Sequence, residues 1–414
     1  GAGLSESGRT NNKVNTMSAM VHETSARQSR ACWSGVLAMT LCAFTLVASE
    51  FMPVSLLTPV SRDLAVSEGL AGLGIAISGA LAVLTSLFLS SLAGGINRKS
   101  LLLGLTALMA VSGLIIAVAE SYPLYMLGRA LLGVAIGGFW SLSAATAIRL
   151  VPPHQVQRAL AIFNGGNALA TVVAAPLGSW LGATIGWRGA FYCLVPVSLL
   201  AFIWQWFSLP SMSVEKRTAS STSAFGLLKN PLVAKGMVAC GVFFMGQFAL
   251  FTYVRPFLET VTFANATQLS LILLVIGVAG FIGTLLIGTF LRRGFYTTLV
   301  AIPVVMALIA AALMAFGHHL AAVTALLGLW GLVATAAPVG WWTWVARTLP
   351  ENAEAGGGLM VAMVQLSIAL GSTLGGLAFD HSGWQSTFAL SGVLLIAAAM
   401  FTFYTSHNDT LHRS

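Results

Sequence analysis

Apolar stretches of 20 or more residues recur along this chain from about residue 34 to residue 405, and no other feature restricts its fold as much. About 20 apolar residues in a helix span the hydrocarbon of a bilayer. A segment in lipid must satisfy its own backbone N–H and C=O groups, which leaves helices or a closed barrel. A barrel would show alternating segments of about ten residues, whereas these runs are continuous. The expectation is an all-α membrane protein. With 57% hydrophobic and only 8% charged residues, the chain has too few polar groups to present a water-soluble surface.

Twelve crossings are predicted, at 34–60, 69–92, 100–119, 122–148, 156–184, 187–208, 233–258, 267–291, 296–317, 320–346, 355–379 and 384–405. If the N-terminus is cytoplasmic, all 20 Lys and Arg residues except Arg62, Arg129, Arg188 and Arg255 fall on the cytoplasmic side. The positive-inside rule supports this orientation, with both termini inside. Residues 1–32 read as a disordered cytoplasmic tail, 33–208 as a six-helix bundle, 209–232 as a cytoplasmic linker, 233–405 as a second six-helix bundle and 406–414 as a short tail. Landmarks recur between the bundles. Arg149-Leu-Val-Pro152 reappears 198 residues later as Arg347-Thr-Leu-Pro350, Gly186-Trp187 reappears 197 later as Gly383-Trp384, and Arg98-Lys99 matches Arg292-Arg293, 194 later. Nearly constant offsets point to two parallel six-helix repeats with a substrate site between them.

A carboxylate in mid-helix costs at least about 2.5 kcal/mol in hydrocarbon, so an embedded acid is a functional candidate. Of the 12 acidic residues only Glu50 lies well inside a crossing, and Arg129 is the one embedded base. Counted from the outer helix ends at about 1.5 Å per residue, Glu50 lies about 13 Å deep and Arg129 about 10 Å. We expect Glu50 to bind and release a proton in a water-filled cavity and Arg129 to bias that equilibrium by its charge. The alternative is a static buried ion pair.

Arg129, Gly133, Ile136, Trp140 and Ser143 share one face of the fourth crossing, and Asn164, Asn167 and Thr171 form a polar stripe on the fifth. Phe244, Gln247, Phe248 and Phe251 share a face of the seventh, the tenth carries Trp341, Trp342 and Trp344, and the eleventh carries Gln365. Rings stack on a flat ligand while amides bond its edge, so the expected substrate-binding set is Trp140, Asn164, Asn167, Phe244, Gln247, Phe248, Trp341, Trp344 and Gln365. The competing reading is that the amides join helices and the Trp cluster marks the membrane interface.

No Gly-x4-Gly-Lys-Ser/Thr phosphate loop occurs, so no cofactor is expected and a proton gradient is the expected energy source. The four cysteines show no metal-ligand spacing. No embedded cluster of His, Cys or carboxylates offers acid/base or metal chemistry, so an enzyme is not expected. Basic residues confined to short segments between apolar runs read as topology signals, with no nucleic-acid partner.

The two sets of six, the linker and the charge placement resemble the major facilitator superfamily, specifically its twelve-helix drug:proton antiporter branch. Glu50-Phe-Met-Pro53 with Leu57-Thr-Pro59 is similar to that branch's first-helix motif, Arg129-x-x-x-Gly133 to its fourth-helix motif, and Ala175-Pro-Leu-Gly178 to the antiporter motif of its fifth helix. Two departures stand out: Gly94 occupies the acidic position of the loop between the second and third helices, with Asn97 at its second glycine, and Ala175 replaces the usual glycine before proline. The family's charge relay at the cytoplasmic gate is therefore not expected in its usual form. The segments Pro53–Pro59, Gly137–Trp140, Arg149–Pro153, Phe251–Pro256 and Pro338–Trp341 resemble those of bacterial purine ribonucleoside exporters in this branch. The resemblance implies a monomer in the bacterial inner membrane, whose halves rock to exchange inosine- or guanosine-like nucleosides for protons. An exporter of drugs or sugars is the alternative.

Overall fold

A computed structural model of the chain describes residues 4–66, 68–214, 224–251 and 253–413. Glu215, Lys216 and Arg217 of the expected linker lie outside the described residues, as do the side chains of Ala175 and Pro176. The first half comprises α1 (Leu4–Ser55), α2 (Leu57–Asp63), α3 (Glu68–Ala93), α4 (Arg98–Val118), α5 (Tyr122–Leu150) and α6 (Val156–Ser208). The second comprises α7 (Pro231–Phe251), α8 (Val254–Thr260), α9 (Ala266–Arg293), α10 (Phe295–Phe316), α11 (Leu320–Ala334), α12 (Ala337–Thr348), α13 (Ala353–Ser382) and α14 (Trp384–Arg413). No strand occurs among the described residues. Among the described residues, ten helical stretches are long and apolar enough to span a bilayer, and Ile77–Ala93 of α3 adds a shorter apolar one. The first part of α6, the remaining predicted crossing, is helical from Val156 onward.

The internal repeat is visible in the backbone. The first crossing breaks between α1 and α2, and the seventh breaks between α7 and α8, 197 residues later. Ala65 follows the first break with φ 54°, and Phe263, 198 residues on, follows the second with φ 57°. Gly186 interrupts α6 with φ 81° and Gly383 separates α13 from α14 with φ 86°, a left-handed conformation that a residue with a Cβ adopts only at a cost. Just beyond each glycine an indole meets a phenyl edge-on: Trp187 and Phe191 at 6.2 Å and 84°, Trp384 and Phe388 at 5.4 Å and 84°.

Lipid provides no hydrophobic drive between helices, so close packing through small residues holds the bundles together. A Cβ on Gly133 of α5 would strike the main chain of Ser78 on α3. Gly331 of α11, 198 residues after Gly133, meets the main chain of Ile276 on α9 in the same way. Across the halves, α13 packs on α3 and α5, while α9 and α12 pack on α6.

Two expectations differ at the ends of the chain. The tail expected to be disordered continues α1 back to Leu4, with residues 8–20 exposed, and α14 runs on to Arg413. No Pro or Gly interrupts residues 9–34, and a helix already nucleated in the membrane adds one hydrogen bond per further residue. Part of the linker is also ordered. Residues 224–229 form a 3-10 turn that buries Ala224 and Leu227, while Arg98 N–H donates to the Met212 carbonyl (2.8 Å) and Asn97 Nδ2 to the Ser211 hydroxyl (2.6 Å).

Candidate functional site between the halves

The halves touch along the end of the molecule that carries the α3–α4 loop. The Cα hydrogens of Gly357 and Gly358, near the start of α13, face the main chains of Ser141 on α5 and Ser86 on α3. Beside them Arg98, the first residue of α4, donates through Nε to Oε1 of Glu354 in the first turn of α13, forming an ion pair between the halves. The acid that pairs with Arg98 thus comes from the opposite half. Deeper in, Asn164 of α6 is buried and donates to the Thr335 carbonyl (2.8 Å) and the Thr284 hydroxyl (3.2 Å), both in the second half. Asn167 donates to Asn164 Oδ1 (3.1 Å), and Thr171 donates to the Asn167 carbonyl (2.9 Å). The polar stripe of the fifth predicted crossing therefore lies on the seam.

Aromatic side chains also meet there. Trp140 of α5 and Trp342 of α12 lie nearly parallel, with centroids 6.3 Å apart and planes at 20°, one indole from each half. Phe139 meets Trp140 edge-on at 5.2 Å. Two expected site residues sit elsewhere. Trp344 is fully buried in the second half, fills the space over Gly236 of α7 and donates through Nε1 to the Tyr296 hydroxyl (3.2 Å). Trp341 is 2% exposed and meets Trp344 edge-on. Both are core residues, because α12 is rotated so that Trp342 faces the first half. Phe244 is also core, 6% exposed and edge-on to Phe243. Gln247 and Phe248 on α7 and Gln365 on α13 are half-buried, and Gln247 Oε1 is buried without a hydrogen-bond partner among the described residues.

Arg129 is completely buried, and its side-chain hydrogen bonds among the described residues go to main-chain carbonyls. Its Nη1 donates to the Ser49 carbonyl (3.0 Å) and its Nε to the Gly74 carbonyl (3.2 Å), while Nη2 has no partner among the described residues. Ser78 in turn donates to the Arg129 carbonyl (2.9 Å), fixing α3 against α5. Glu50, next to Ser49 in sequence, is half-buried. The ion pairs among the described residues are Arg98–Glu354 and Arg188–Asp63 (3.3 Å), so no salt bridge joins Glu50 to Arg129. The repeat places Gln247 opposite Glu50 and buried Leu327 opposite Arg129, so this charged pair is confined to the first half.

Two repeated helical bundles with polar and aromatic groups converging on the seam define a polytopic membrane transporter. The chain belongs to the Major Facilitator Superfamily, which it matches over residues 39–360. This is a family of transporters, not of enzymes. The chain is 65% identical over 379 residues to a Pseudomonas aeruginosa protein named transcription regulatory protein OpdE, covering 91% of this chain and 94% of that one. It is 39% identical over 372 residues to the purine ribonucleoside efflux pump NepI of Salmonella paratyphi C, covering 90% and 94%. Among solved structures, the proton:xylose symporter XylE bound to 6-bromo-6-deoxy-D-glucose aligns with a TM-score of 0.76 at 16% identity, covering 91% of this chain and 96% of that one. Human organic anion transporter MFSD10 (TETRAN) aligns with a TM-score of 0.71 at 16% identity, covering 91% and 99%. At such identity these two likenesses concern the fold alone.

Proposed function

We propose that this protein is a proton-coupled antiporter that exports purine ribonucleosides, inosine and guanosine among them, across the bacterial inner membrane by alternating access. The observation that carries the reading is the parallel Trp140–Trp342 pair, one ring from each half, on a seam that also carries the Asn164–Asn167 amides. A purine presents two flat faces for stacking and an edge of donors and acceptors for amides. The 39% identity to a purine ribonucleoside efflux pump supports the same substrate class.

Coupling is assigned to Glu50 and Arg129. Glu50 is half-buried and carries no salt bridge among the described residues, so it can gain and lose a proton without first breaking one. Arg129, anchored by two carbonyls, holds a fixed positive charge in the same half and biases that exchange. Gln247, Phe248 and Gln365 complete the expected substrate contacts. Basic residues gathered at the sealed end support a cytoplasmic location for that end and for both termini.

The name of the 65% relative favours a second reading, a regulator of transcription. The two are reconcilable in one mechanism: an exporter that lowers the internal level of an inducer alters transcription without touching DNA. The test is labelled inosine uptake into proteoliposomes under an imposed pH gradient, comparing wild type with Glu50→Gln. Uptake by wild type, lost in the variant with inosine binding retained, supports the proposal. No wild-type uptake in folded protein would move the assignment to a drug or sugar exporter.

A further inference from the structure

The repeat gives the sealed end two equivalent corners, and their chemistry differs. At the first, Arg98 of the first half meets Glu354, the second residue of α13. At the second, the position matching Glu354 is Gln157, the second residue of α6 and 197 residues earlier in the chain. The carboxylate is absent there, while the cations are more numerous. Gln157 and His154 of the first half, with Arg292, Arg293, Phe295 and Arg347 of the second, line a cavity of about 360 Å³.

None of these three arginines pairs with a carboxylate among the described residues. Arg292 Nε reaches only the Gly288 carbonyl of its own helix (3.3 Å), and Arg347 sits over the Phe295 ring, 4.4 Å from its centroid. Gln157 Oε1 is buried and lacks a donor among the described residues. All three arginines are exposed, yet they line one open concavity together with an unsatisfied buried acceptor. The guanidinium fork matches phosphate oxygens, and basic pockets between membrane helices suit anionic head groups.

We propose that this cavity binds a phosphate-bearing anion with a hydroxyl donor, supplied in the bilayer by a phosphatidylglycerol headgroup, which replaces the carboxylate missing at Gln157. The phosphate oxygens accept from the arginines, and a glycerol hydroxyl donates to Gln157 Oε1. Because the lining comes from both halves, the bound anion ties them together at a second corner. That closing effect rests on the alternating-access reading; the binding does not.

The test uses the purified full chain in detergent, titrated separately with short-chain phosphatidylglycerol, short-chain phosphatidylcholine and inorganic phosphate, with binding read by native mass spectrometry and by melting shift. Wild type is compared with Arg292→Gln/Arg293→Gln and with Gln157→Glu, which places a carboxylate where the anion would sit. The expected result is that phosphatidylglycerol binds wild type about tenfold or more tightly than phosphatidylcholine does, and that both variants lose this preference. Inorganic phosphate binding as tightly as phosphatidylglycerol, and equally lost in the variants, would support the site with a soluble ligand as its source. No preference for phosphatidylglycerol or phosphate in wild type, or one unchanged in Gln157→Glu, would overturn the proposal whatever the transport assay shows.

Discussion

Replacing Glu354 tests whether the ion pair between the halves holds the sealed end shut. Arg98 and Glu354 side chains are 7% and 20% exposed, so the bond is largely shielded from water. A hydrogen bond between charged groups contributes about 1.5–3 kcal/mol net. The partial exposure of Glu354, and the bond that Arg98 keeps to the Ile96 carbonyl (3.2 Å), argue for the lower part of that range. Taking about 2 kcal/mol, Glu354→Ala multiplies the ratio of separated to sealed molecules by about 30. Glu354→Gln keeps an acceptor without its charge, losing about 1 kcal/mol and giving about a fivefold change. The readout is alkylation of Ser141→Cys, in a protein whose four natural cysteines are replaced by serine, because Ser141 is 1% exposed and faces Gly357. When opening and closing are fast, the alkylation rate follows the separated population, so it rises about 30-fold with Glu354→Ala. Exchanging the charges, Arg98→Glu with Glu354→Arg, brings the rate back toward the starting value. An unchanged alkylation rate in Glu354→Ala would refute the assignment of this pair as the latch.

Other substitutions separate packing from recognition. Trp140→Ala and Trp342→Ala each weaken inosine binding about 5- to 150-fold, the loss of one stacking contact of about 1–3 kcal/mol, whereas Trp344→Ala lowers the melting temperature with ligand affinity retained; calorimetry and thermal melting read the two effects. Gly133→Leu forces a side chain into the main chain of Ser78 and destabilises the fold by about 1–3 kcal/mol, while Gly104→Ala, with nothing within 4 Å of the added carbon and a better helix former in mid-helix, leaves melting unchanged or slightly raised. Arg129→Lys keeps the charge but cannot reach both the Ser49 and Gly74 carbonyls from one planar fork, so gradient-driven uptake falls at least about tenfold while the protein stays monodisperse on size exclusion.

The helices were legible in the sequence because lipid allows few alternatives: a 20-residue apolar run bounded by basic residues has one stable conformation. The repeat was legible too, since the Gly186 and Gly383 landmarks mark turns that require a left-handed residue. Helix rotation was not. At 3.6 residues per turn, Trp341, Trp342 and Trp344 spread over about 160° of α12, and the space over Gly236, which accepts Trp344, fits the rotation that turns Trp342 to the seam. A signal existed: Gly236 lies on the face of α7 opposite a bulky partner, but pairing it with Trp344 needs the tertiary arrangement. The Arg98–Glu354 bond was hidden for another reason. Glu354, just before the eleventh predicted crossing, is 256 residues from Arg98, and nothing local links the two.

The contacts of Gly357 with Ser141 and of Gly358 with Ser86 also bear on how fast the molecule can move. Here the halves meet main chain to main chain, with no side chain of either glycine lodged in a groove of the opposing helix. Parting such surfaces requires no rotamer to unlock and no knob to be withdrawn, so internal friction at this seam is low. Beside this smooth contact, discrete interactions join the halves, Arg98 to Glu354, Asn164 to Thr335 and the Trp140–Trp342 ring pair, and act as individual fasteners.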